Sequence, residues 1–247
     1  MPGRIAWPLA FQGKAPIIPL PGTNAPRIAM TRDRIEEGGE SEESAVLVVD
    51  DDQDVRVALS SLFRSAGLAA ESFASAEELL AHGIPDRPTC IVLDVHLHGA
   101  SGLDLQATLN RAGRHASIVF ISGRGDVPMT VAAMKAGAVN FIAKPFRDQD
   151  LLDAVDEALQ RDRAQREAEA QSRQLRDHFD TLTGREQEVM QLAARGLMNK
   201  QIADDLGISE ATVKIYRGHA MRKMQARTFA ELVIMAQSLG LVQDDAG

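Results

Sequence analysis

The chain of 247 residues contains a single cysteine, Cys90. One cysteine cannot form a disulfide within the chain, so a small fold held together by disulfides is excluded. Cys90 stands in an apolar run, where a free cysteine behaves as a small buried hydrophobe. We therefore expect a hydrophobic core to hold the fold together, and a reducing, cytoplasmic setting.

Aromatic side chains and long apolar runs are also scarce. The tryptophan and the tyrosine, Trp7 and Tyr216, offer too little aromatic surface to stack the bases of single-stranded nucleic acid. No apolar run approaches the length needed to cross a bilayer. The short N-terminal run IAWPLAF is interrupted by Pro8 and is not a convincing secretory signal. These absences predict a protein that has no membrane partner.

The chain as a whole has no excess of positive charge. The formal net charge is -8, with 27 Lys and Arg residues against 35 Asp and Glu residues, which argues weakly against a nucleic-acid partner. The net charge of the whole chain conceals one segment with an excess of positive charge. Residues 210–224 hold one acidic residue, Glu210, and four basic residues: Lys214, Arg217, Arg222 and Lys223. Contact with phosphates requires local positive charge, so this segment is a candidate nucleic-acid interface.

The order of apolar and polar segments predicts two domains, a tail and a linker. Residues 1–43 are rich in Pro and Gly and then in polar residues, without a sustained period, and are predicted to be disordered. Residues 44–160 alternate five short apolar runs with five helical patterns, which predicts an α/β fold with a parallel sheet covered on both faces. Residues 161–180 are charged and lack Pro and Gly, so we interpret them as an exposed helical linker.

Residues 181–247 contain four further helical segments, which predict an all-α domain. A residue that commonly caps helices precedes or begins each segment, in this order: Thr183, Asn199, Ser209 and Thr228. The tight turn LGIS joins the second and third segments, which is typical of a helix-turn-helix. This part of the chain is therefore predicted to bind DNA.

Charged and hydroxyl groups stand at the ends of four predicted strands. Asp50 and Asp51 follow the first strand, Asp94 ends the third, Ser122 ends the fourth and Lys144 follows the fifth. The carboxyl ends of parallel strands lie at one edge of a sheet, so we expect these groups to meet there. Crowded carboxylates repel one another unless a cation lies between them, and an all-oxygen site suits Mg²⁺. Lys144 and Ser122 would then favour a phosphoryl group transferred to a carboxylate.

The ordered set of these motifs resembles a known family. Residues 45–160 resemble the receiver domain of bacterial response regulators, and residues 181–240 resemble the DNA-binding domain of the LuxR/NarL type. The run ISGRGDVPMTVAAMKAGAVNFIAKPF is similar to the FixJ branch. The resemblance implies a doubly wound sheet of five strands in the flavodoxin-like order 2-1-3-4-5, followed by a four-helix domain. It also implies a two-component transcriptional regulator and not an enzyme.

The resemblance implies a role for each residue of the predicted sheet edge. Asp94 is implied as the phosphoacceptor, and Lys144 as the lysine that binds the phosphoryl group. The implied Mg²⁺ ligands are Asp94 and Asp51 directly, Asp50 largely through water, and His96 through its backbone carbonyl.

A switch pair and two partners are also implied. Ser122 resembles the hydroxyl that turns towards the phosphoryl group, and Phe141 the aromatic residue whose rotamer follows it. A sensor histidine kinase is implied as the phosphoryl donor, and a homodimer as the product of phosphorylation. His98 departs from the family, which usually has a proline at this position. We interpret His98 as an exposed side chain.

The third helix of the second domain is the expected reader of promoter DNA. By the resemblance, its residues nearest the major groove are Lys214, Ile215, Tyr216, Arg217 and Gly218. Arginine is the commonest specific reader of guanine, so Arg217 is the first choice for a base contact. The expected phosphate partners are His219, Arg222 and Lys223. So few basic residues favour a dimer that binds paired half-sites.

Two alternatives stay open at this point. A phosphohydrolase with an aspartyl nucleophile would typically carry a second Asp two residues after the first, where this chain has His96. Steady turnover of a phosphate ester would favour it. Alternatively, the first domain serves only to dimerise a DNA-binding protein that needs no phosphorylation. The full set of Asp, Ser and Lys residues argues against that reading.

Overall fold

A computed structural model of the chain describes residues 44–99, 101–114, 116–123 and 127–242. The predicted tail, residues 1–43, lies outside the described residues. The described part of the chain forms five strands and nine helices. None of these helices is both long and apolar enough to cross a membrane.

Five parallel strands form one sheet in the order β2-β1-β3-β4-β5, which confirms the expected order. The strands are β1 (Ala45–Val49), β2 (Ala69–Phe73), β3 (Thr89–Asp94), β4 (Ser117–Ser122) and β5 (Asn140–Ala143). Every residue of β1, β3 and β4 is buried. Helices cover both faces of such a sheet, so its strands appear in the sequence as continuous apolar runs.

Five helices form the two outer layers. They are α1 (Gln53–Ser65), α2 (Ala76–His82), α3 (Gly102–Arg111), α4 (Val127–Lys135) and α5 (Asp148–Asp180). Val46 and Val48 of β1 pack with α1 and α5, whereas Leu47 and Val49 pack with α2, α3 and α4. Successive side chains of a strand point to opposite faces, so β1 contributes to both halves of the core.

Helix α5 runs without a break for 33 residues and includes the whole predicted linker. Asp162, just beyond the predicted boundary at residue 160, is buried. Its Oδ2 accepts hydrogen bonds from the backbone N–H of Thr89 at 3.0 Å and from Nε of Arg166 at 2.6 Å. Arg166 also donates to Asp86. These contacts anchor the start of the segment to the sheet, and no break in the helix marks the boundary, which stays a prediction.

Four short helices form the second domain: α6 (Gly184–Ala194), α7 (Asn199–Leu206), α8 (Glu210–Lys223) and α9 (Phe229–Ser238). Thr183, Ser209 and Thr228 occupy the predicted N-cap positions, and each side chain accepts a hydrogen bond from a backbone N–H three residues on. Gly207 ends α7 in the left-handed conformation, which glycine adopts without steric cost. The local sequence therefore sets the limits of most of these helices.

The prediction that Asn199 caps α7 is wrong. Met198 occupies the N-cap position, and Asn199 is the first residue of the helix. Oε1 of Gln201 satisfies the backbone N–H of Met198 at 2.8 Å. Oδ1 of Asn199 accepts from Nη1 of Arg217 at 2.6 Å instead. The amide binds α8 because that helix brings it a charged donor, which the local sequence does not show.

The end of α5 belongs to the core of the second domain. Leu175 and Phe179 pack against the buried cluster that includes Met190, Met224 and Leu232. One helix therefore contributes side chains to the cores of both domains. This arrangement explains why residues 161–180 need few apolar positions: only the two ends of the segment are packed.

We expect Asp162→Ala to lower the free energy of unfolding by about 2–4 kcal/mol, because the N–H of Thr89 and the guanidinium of Arg166 lose a shared buried acceptor. Urea unfolding of the full chain, followed by circular dichroism, measures this loss. Asp156→Ala changes an exposed residue of the same helix and should cost less than about 0.5 kcal/mol. Equal effects of the two substitutions would contradict the anchoring role of Asp162.

Candidate functional site

Three carboxylates meet where the two central strands end. Strands β1 and β3 are neighbours, with Val49 opposite Leu93, so Asp50 and Asp51 follow β1 beside Asp94. One carboxylate oxygen of each Asp lies within 4.8 Å of the others. Asp50 is fully buried and Asp94 is 8% exposed. The sheet thus brings together groups that stand more than forty positions apart in the sequence.

Lys144, which follows β5, neutralises part of this charge. Its Nζ donates to Oδ2 of Asp50 at 2.7 Å and to Oδ2 of Asp94 at 2.9 Å. Its backbone N–H donates to the carbonyl oxygen of Ser122 at 2.7 Å, which fixes its position next to β4. Burial raises the pKa of Asp50, and the hydrogen bonds from Lys144 and from the N–H of Asp52 offset this only in part. One lysine against three carboxylates leaves the site acidic.

The donor set fits a hard divalent cation. All three side chains offer oxygen, the ligand that Mg²⁺ prefers. Carboxylates this close repel one another, and a cation between them relieves the repulsion. The side chain of Asp51 is 20% exposed, so an ion can reach the cluster from solvent. The backbone N–H of His96 binds Oδ1 of Asp94 at 3.0 Å and holds this carboxylate in place.

The two expected switch residues lie on the strands next to the carboxylates. Ser122 is fully buried at the end of β4, and its hydroxyl lies 3.3 Å from Nδ1 of His96. Phe141 stands opposite Phe120 in the pairing of β4 and β5, with ring centroids 6.2 Å apart. Phe120, two positions before Ser122 in β4, therefore lies beside Phe141.

The loop after β3 and the first residue of α3 approach the cluster in ways that the sequence does not predict. Nδ1 of His98 contacts Oδ2 of Asp51, although the His98 side chain is 92% exposed. Gly102 begins α3 directly behind Asp94, and a Cβ atom there would collide with the Asp94 carbonyl oxygen. The absence of a side chain at Gly102 thus lets α3 begin close to the carboxylate.

The exposed face of α8 is the second candidate site. The exposed residues of this helix follow one another at helical spacing: Glu210, Ala211, Lys214, Ile215, Gly218 and Arg222. Val213 and Ala220 are buried on the opposite side, among the core residues of the domain. Four of the predicted DNA contacts therefore lie on a free surface, namely Lys214, Ile215, Gly218 and Arg222.

Arg217, the expected base contact, binds within the domain instead. Its guanidinium donates to Oδ1 of Asn199 at 2.6 Å and lies 4.2 Å from the ring centroid of Phe229. Tyr216 packs against the buried cluster around Val213. A guanidinium can bind an amide oxygen and an aromatic face at the same time, which suits Arg217 to joining α7, α8 and α9. Arg217 is therefore engaged within the domain, and its role as a base contact stays a prediction.

His219 and Lys223 lie on the flank of α8 that faces α6. Nζ of Lys223 donates to Oε2 of Glu186 at 2.6 Å and to the carbonyl oxygen of Thr181 at 3.0 Å. Nδ1 of His219 lies 3.2 Å from Oε1 of Glu186. Glu186 is buried and also completes a capping box with Thr183 at the start of α6. Two of the three expected phosphate partners, His219 and Lys223, are therefore already engaged inside the domain.

Comparison with known proteins identifies both parts of the chain. Residues 46–156 match the family of response regulator receiver domains, and residues 180–236 match the luxR family of bacterial regulatory proteins. Nodulation protein W of Bradyrhizobium diazoefficiens is 54% identical over 83% of this chain and 92% of that protein. Transcriptional regulatory protein FixJ of Azorhizobium caulinodans is 42% identical over 81% and 95%, respectively. The structure of response regulator StyR superposes with a TM-score of 0.72 at 48% identity, covering 79% of this chain and 98% of that one.

The chain is a response regulator with a LuxR-type DNA-binding domain. The resemblance seen in the sequence is thereby confirmed, and so is the assignment to two-component transcriptional regulators. The carboxylate cluster lies in the receiver domain of this response regulator, and the exposed face of α8 lies in its DNA-binding domain.

Several residues that shape the two sites do not stand out in the amino-acid sequence. Glu186 could have been found, since Thr183-x-x-Glu186 is the pattern of a capping box. No local pattern predicts the contacts of Asp162 and Asn199, because their partners lie on other elements. The role of Gly102 appears only when α3 is placed against Asp94.

The stability of the DNA-binding domain should depend on Glu186 in acid. Burial raises the pKa of Glu186, but hydrogen bonds from Lys223 and Thr183 and the charge of Lys223 outweigh it and lower the pKa to about 2. The ordinary value is 4.5, so the stabilisation is fully present above pH 4.5 and is lost as the pH falls towards 2.

We expect Glu186→Gln to remove this part of the pH dependence. The measurement is the melting temperature of the full chain by calorimetry at several pH values from neutral to about 2. The wild type should lose more stability than the variant across this range. Glu188→Gln, an exposed residue of the same helix, is the control and should behave like the wild type. Parallel curves for all three proteins would rule out the assigned role of Glu186.

Proposed function

We propose that phosphorylation of Asp94 by a sensor histidine kinase controls DNA binding by this response regulator. The observation that carries the proposal is the position of the Asp94 carboxylate. It lies 2.9 Å from Nζ of Lys144 and within 4.8 Å of carboxylate oxygens of Asp50 and Asp51. A carboxylate between a fixed cation and a cation-binding cluster is well placed to accept a phosphoryl group, because both positive charges can neutralise the phosphoryl oxygens.

In the proposed step, a carboxylate oxygen of Asp94 attacks the phosphorus atom of a phosphohistidine on the kinase. The P–O bond forms as the P–N bond breaks, and the bonding electron pair returns to the imidazole nitrogen of the kinase. The product is an acyl phosphate on Asp94. Lys144 already donates to Oδ2 of Asp94 and would pair with the phosphoryl oxygens through a charge-assisted hydrogen bond.

Mg²⁺ is the proposed cofactor of this site. Asp51 and Asp94 would bind it directly, Asp50 largely through water, and His96 through its backbone carbonyl. The all-oxygen character of the cluster supports this assignment. When bound, the ion supplies positive charge to the phosphoryl oxygens.

Ser122 and Phe141 are the proposed switch residues. The charge added to Asp94 would attract the Ser122 hydroxyl, and Phe141 would repack in response. Helix α4, which precedes β5, exposes three apolar side chains, by 77%, 44% and 44%: Val127, Val131 and Met134. An exposed apolar patch of this kind is typical of an interaction surface. We propose that repacking of this face promotes a homodimer.

The partner of the second domain is proposed to be promoter DNA, with α8 in the major groove. The exposed side chains of Lys214 and Arg222 offer positive charge, and Ile215 is 56% exposed between them. Two exposed cations on one helix supply little affinity, because non-specific affinity grows with the number of phosphates neutralised. A homodimer on two half-sites would double these contacts, as in other helix-turn-helix proteins.

Asp94→Asn should abolish labelling of the protein by radioactive acetyl phosphate in the presence of Mg²⁺. The amide lacks the nucleophilic carboxylate, although it has nearly the same shape. Phosphate incorporation after acid precipitation measures the effect. Asp156→Asn, on the exposed side of α5, should be labelled like the wild type. Labelling of Asp94→Asn at the level of the wild type would refute Asp94 as the phosphoacceptor.

Mg²⁺ should stabilise the folded protein. At ten times the dissociation constant, binding adds roughly 1.4 kcal/mol to the free energy of unfolding. The measurement compares urea unfolding in Mg²⁺ with unfolding in excess chelator. Asp51→Asn should lose this difference, whereas Asp54→Asn, an exposed neighbour in the first turn of α1, should keep it. A Mg²⁺ effect that survives Asp51→Asn would place the ion elsewhere.

A further inference from the structure

Gly218 stands in the interior of α8, a helix of 14 residues, and is exposed. Glycine destabilises a helix interior relative to alanine, because it loses more backbone freedom on folding. In the described part of the chain, the other glycines lie at helix ends or in loops. Glycine at position 218 therefore lowers the stability of α8, which raises the question of what favours glycine there.

The described residues of the protein give no such reason. Gly218 does not have a positive φ, unlike Gly207 at the end of α7. A Cβ atom at Gly218 would meet no heavy atom within 4 Å, whereas a Cβ atom at Gly102 would collide with the backbone of β3. Neither backbone conformation nor internal packing excludes a side chain at Gly218. The space beside Gly218 is therefore open to a partner of the protein.

The neighbours of Gly218 on the helix surface indicate which kind of partner suits this face. Lys214 and Ile215 precede it by one helical turn on the same exposed face, and Arg222 follows it by one turn. The side chains of Lys214 and Arg222 can pair with phosphates, whereas Ile215 has no polar group that binds a phosphate. An apolar side chain beside a bare stretch of helix backbone suits the edges of base pairs, where apolar contacts with thymine methyl groups also contribute to readout.

We propose that Gly218 is a specificity-determining position at which α8 passes in van der Waals contact with a base-pair edge in the major groove. The inference rests on the proposed function, since it requires α8 to bind DNA. The DNA, and not the protein, then excludes a side chain at this position. Arg217 acts as a positioning residue, because its contacts with Asn199 and Phe229 hold α8 at the angle that this approach requires.

The decisive variant is Gly218→Ala in the full chain, activated with beryllofluoride. Its probe is a DNA duplex that the wild type selects from a random-sequence library, and a scrambled duplex of the same composition is the non-specific reference. Affinity for the selected duplex should fall about tenfold or more, because overpacking by one methyl group in a tight contact is costly. Affinity for the scrambled duplex should stay within about twofold of the wild type, since phosphate contacts are kept.

Amide hydrogen exchange of α8 distinguishes this loss from damage to the fold. Alanine favours the helix, so exchange in α8 should be about two- to fivefold slower in Gly218→Ala. Gly184→Ala is the matched control: it makes the same change at an exposed position in the first turn of α6, where a Cβ atom also meets nothing within 4 Å. This control should keep the affinity and the duplex preference of the wild type.

Three results would overturn the inference. They are unchanged affinity of Gly218→Ala for the selected duplex, an equal loss on both duplexes, and faster exchange in α8. If the wild type itself selects no duplex and binds both DNAs alike, the proposed function fails instead. The two failures are therefore distinguishable in one experiment.

Discussion

The balance of charge at the carboxyl edge of the sheet is the constraint on which the rest of the receiver domain depends. Two carboxylates, Asp50 and Asp94, are largely removed from water there, and burial without a partner would be costly. Lys144 binds both, and it reaches them because β5 ends beside β4 and β4 ends beside β3. The remaining negative charge gives the cluster an all-oxygen donor set of the kind that a hard divalent cation prefers. The order of the strands and the positions of their ends bring Asp50, Asp94 and Lys144 together.

Helix α5 connects this site to the rest of the chain through its contacts with β3. Asp162 of α5 binds the N–H of Thr89, the first residue of β3, and Asp94 is the last residue of the same strand. The far end of α5 supplies Leu175 and Phe179 to the core of the DNA-binding domain. A continuous helix that is anchored to β3 and contributes side chains to the second core is a physical connection between the two domains.

The polar residues of the DNA-binding domain divide into two groups with different tasks. One group binds within the domain: Glu186 with Lys223 and His219, and Arg217 with Asn199. The other group, which includes Lys214 and Arg222, is exposed on one face of α8. The first group fixes the position of the helix and leaves the second free for a partner. A count of basic residues along the sequence cannot separate these groups, because it ignores which side of the helix each residue occupies.

Sequence patterns that span only a few residues predict much of the fold of this protein. The apolar runs that end in Asp50 and Asp94 predict the sheet and the carboxylate cluster, since parallel strands expose their carboxyl ends at one edge. The caps Thr183, Ser209 and Thr228 predict three of the four short helices, since each cap binds its own helix. The contacts that no local pattern predicts join different elements: Asn199 binds α8, Arg217 binds α7 and α9, and Asp162 binds β3. Hydrophobic period and helix caps act over a few residues, so the amino-acid sequence was enough to predict the fold and the two domain types. The exposure of Lys214 and Arg222 on α8 and the anchoring of α5 emerge only in the packed chain, because those contacts join segments whose proximity no local pattern encodes.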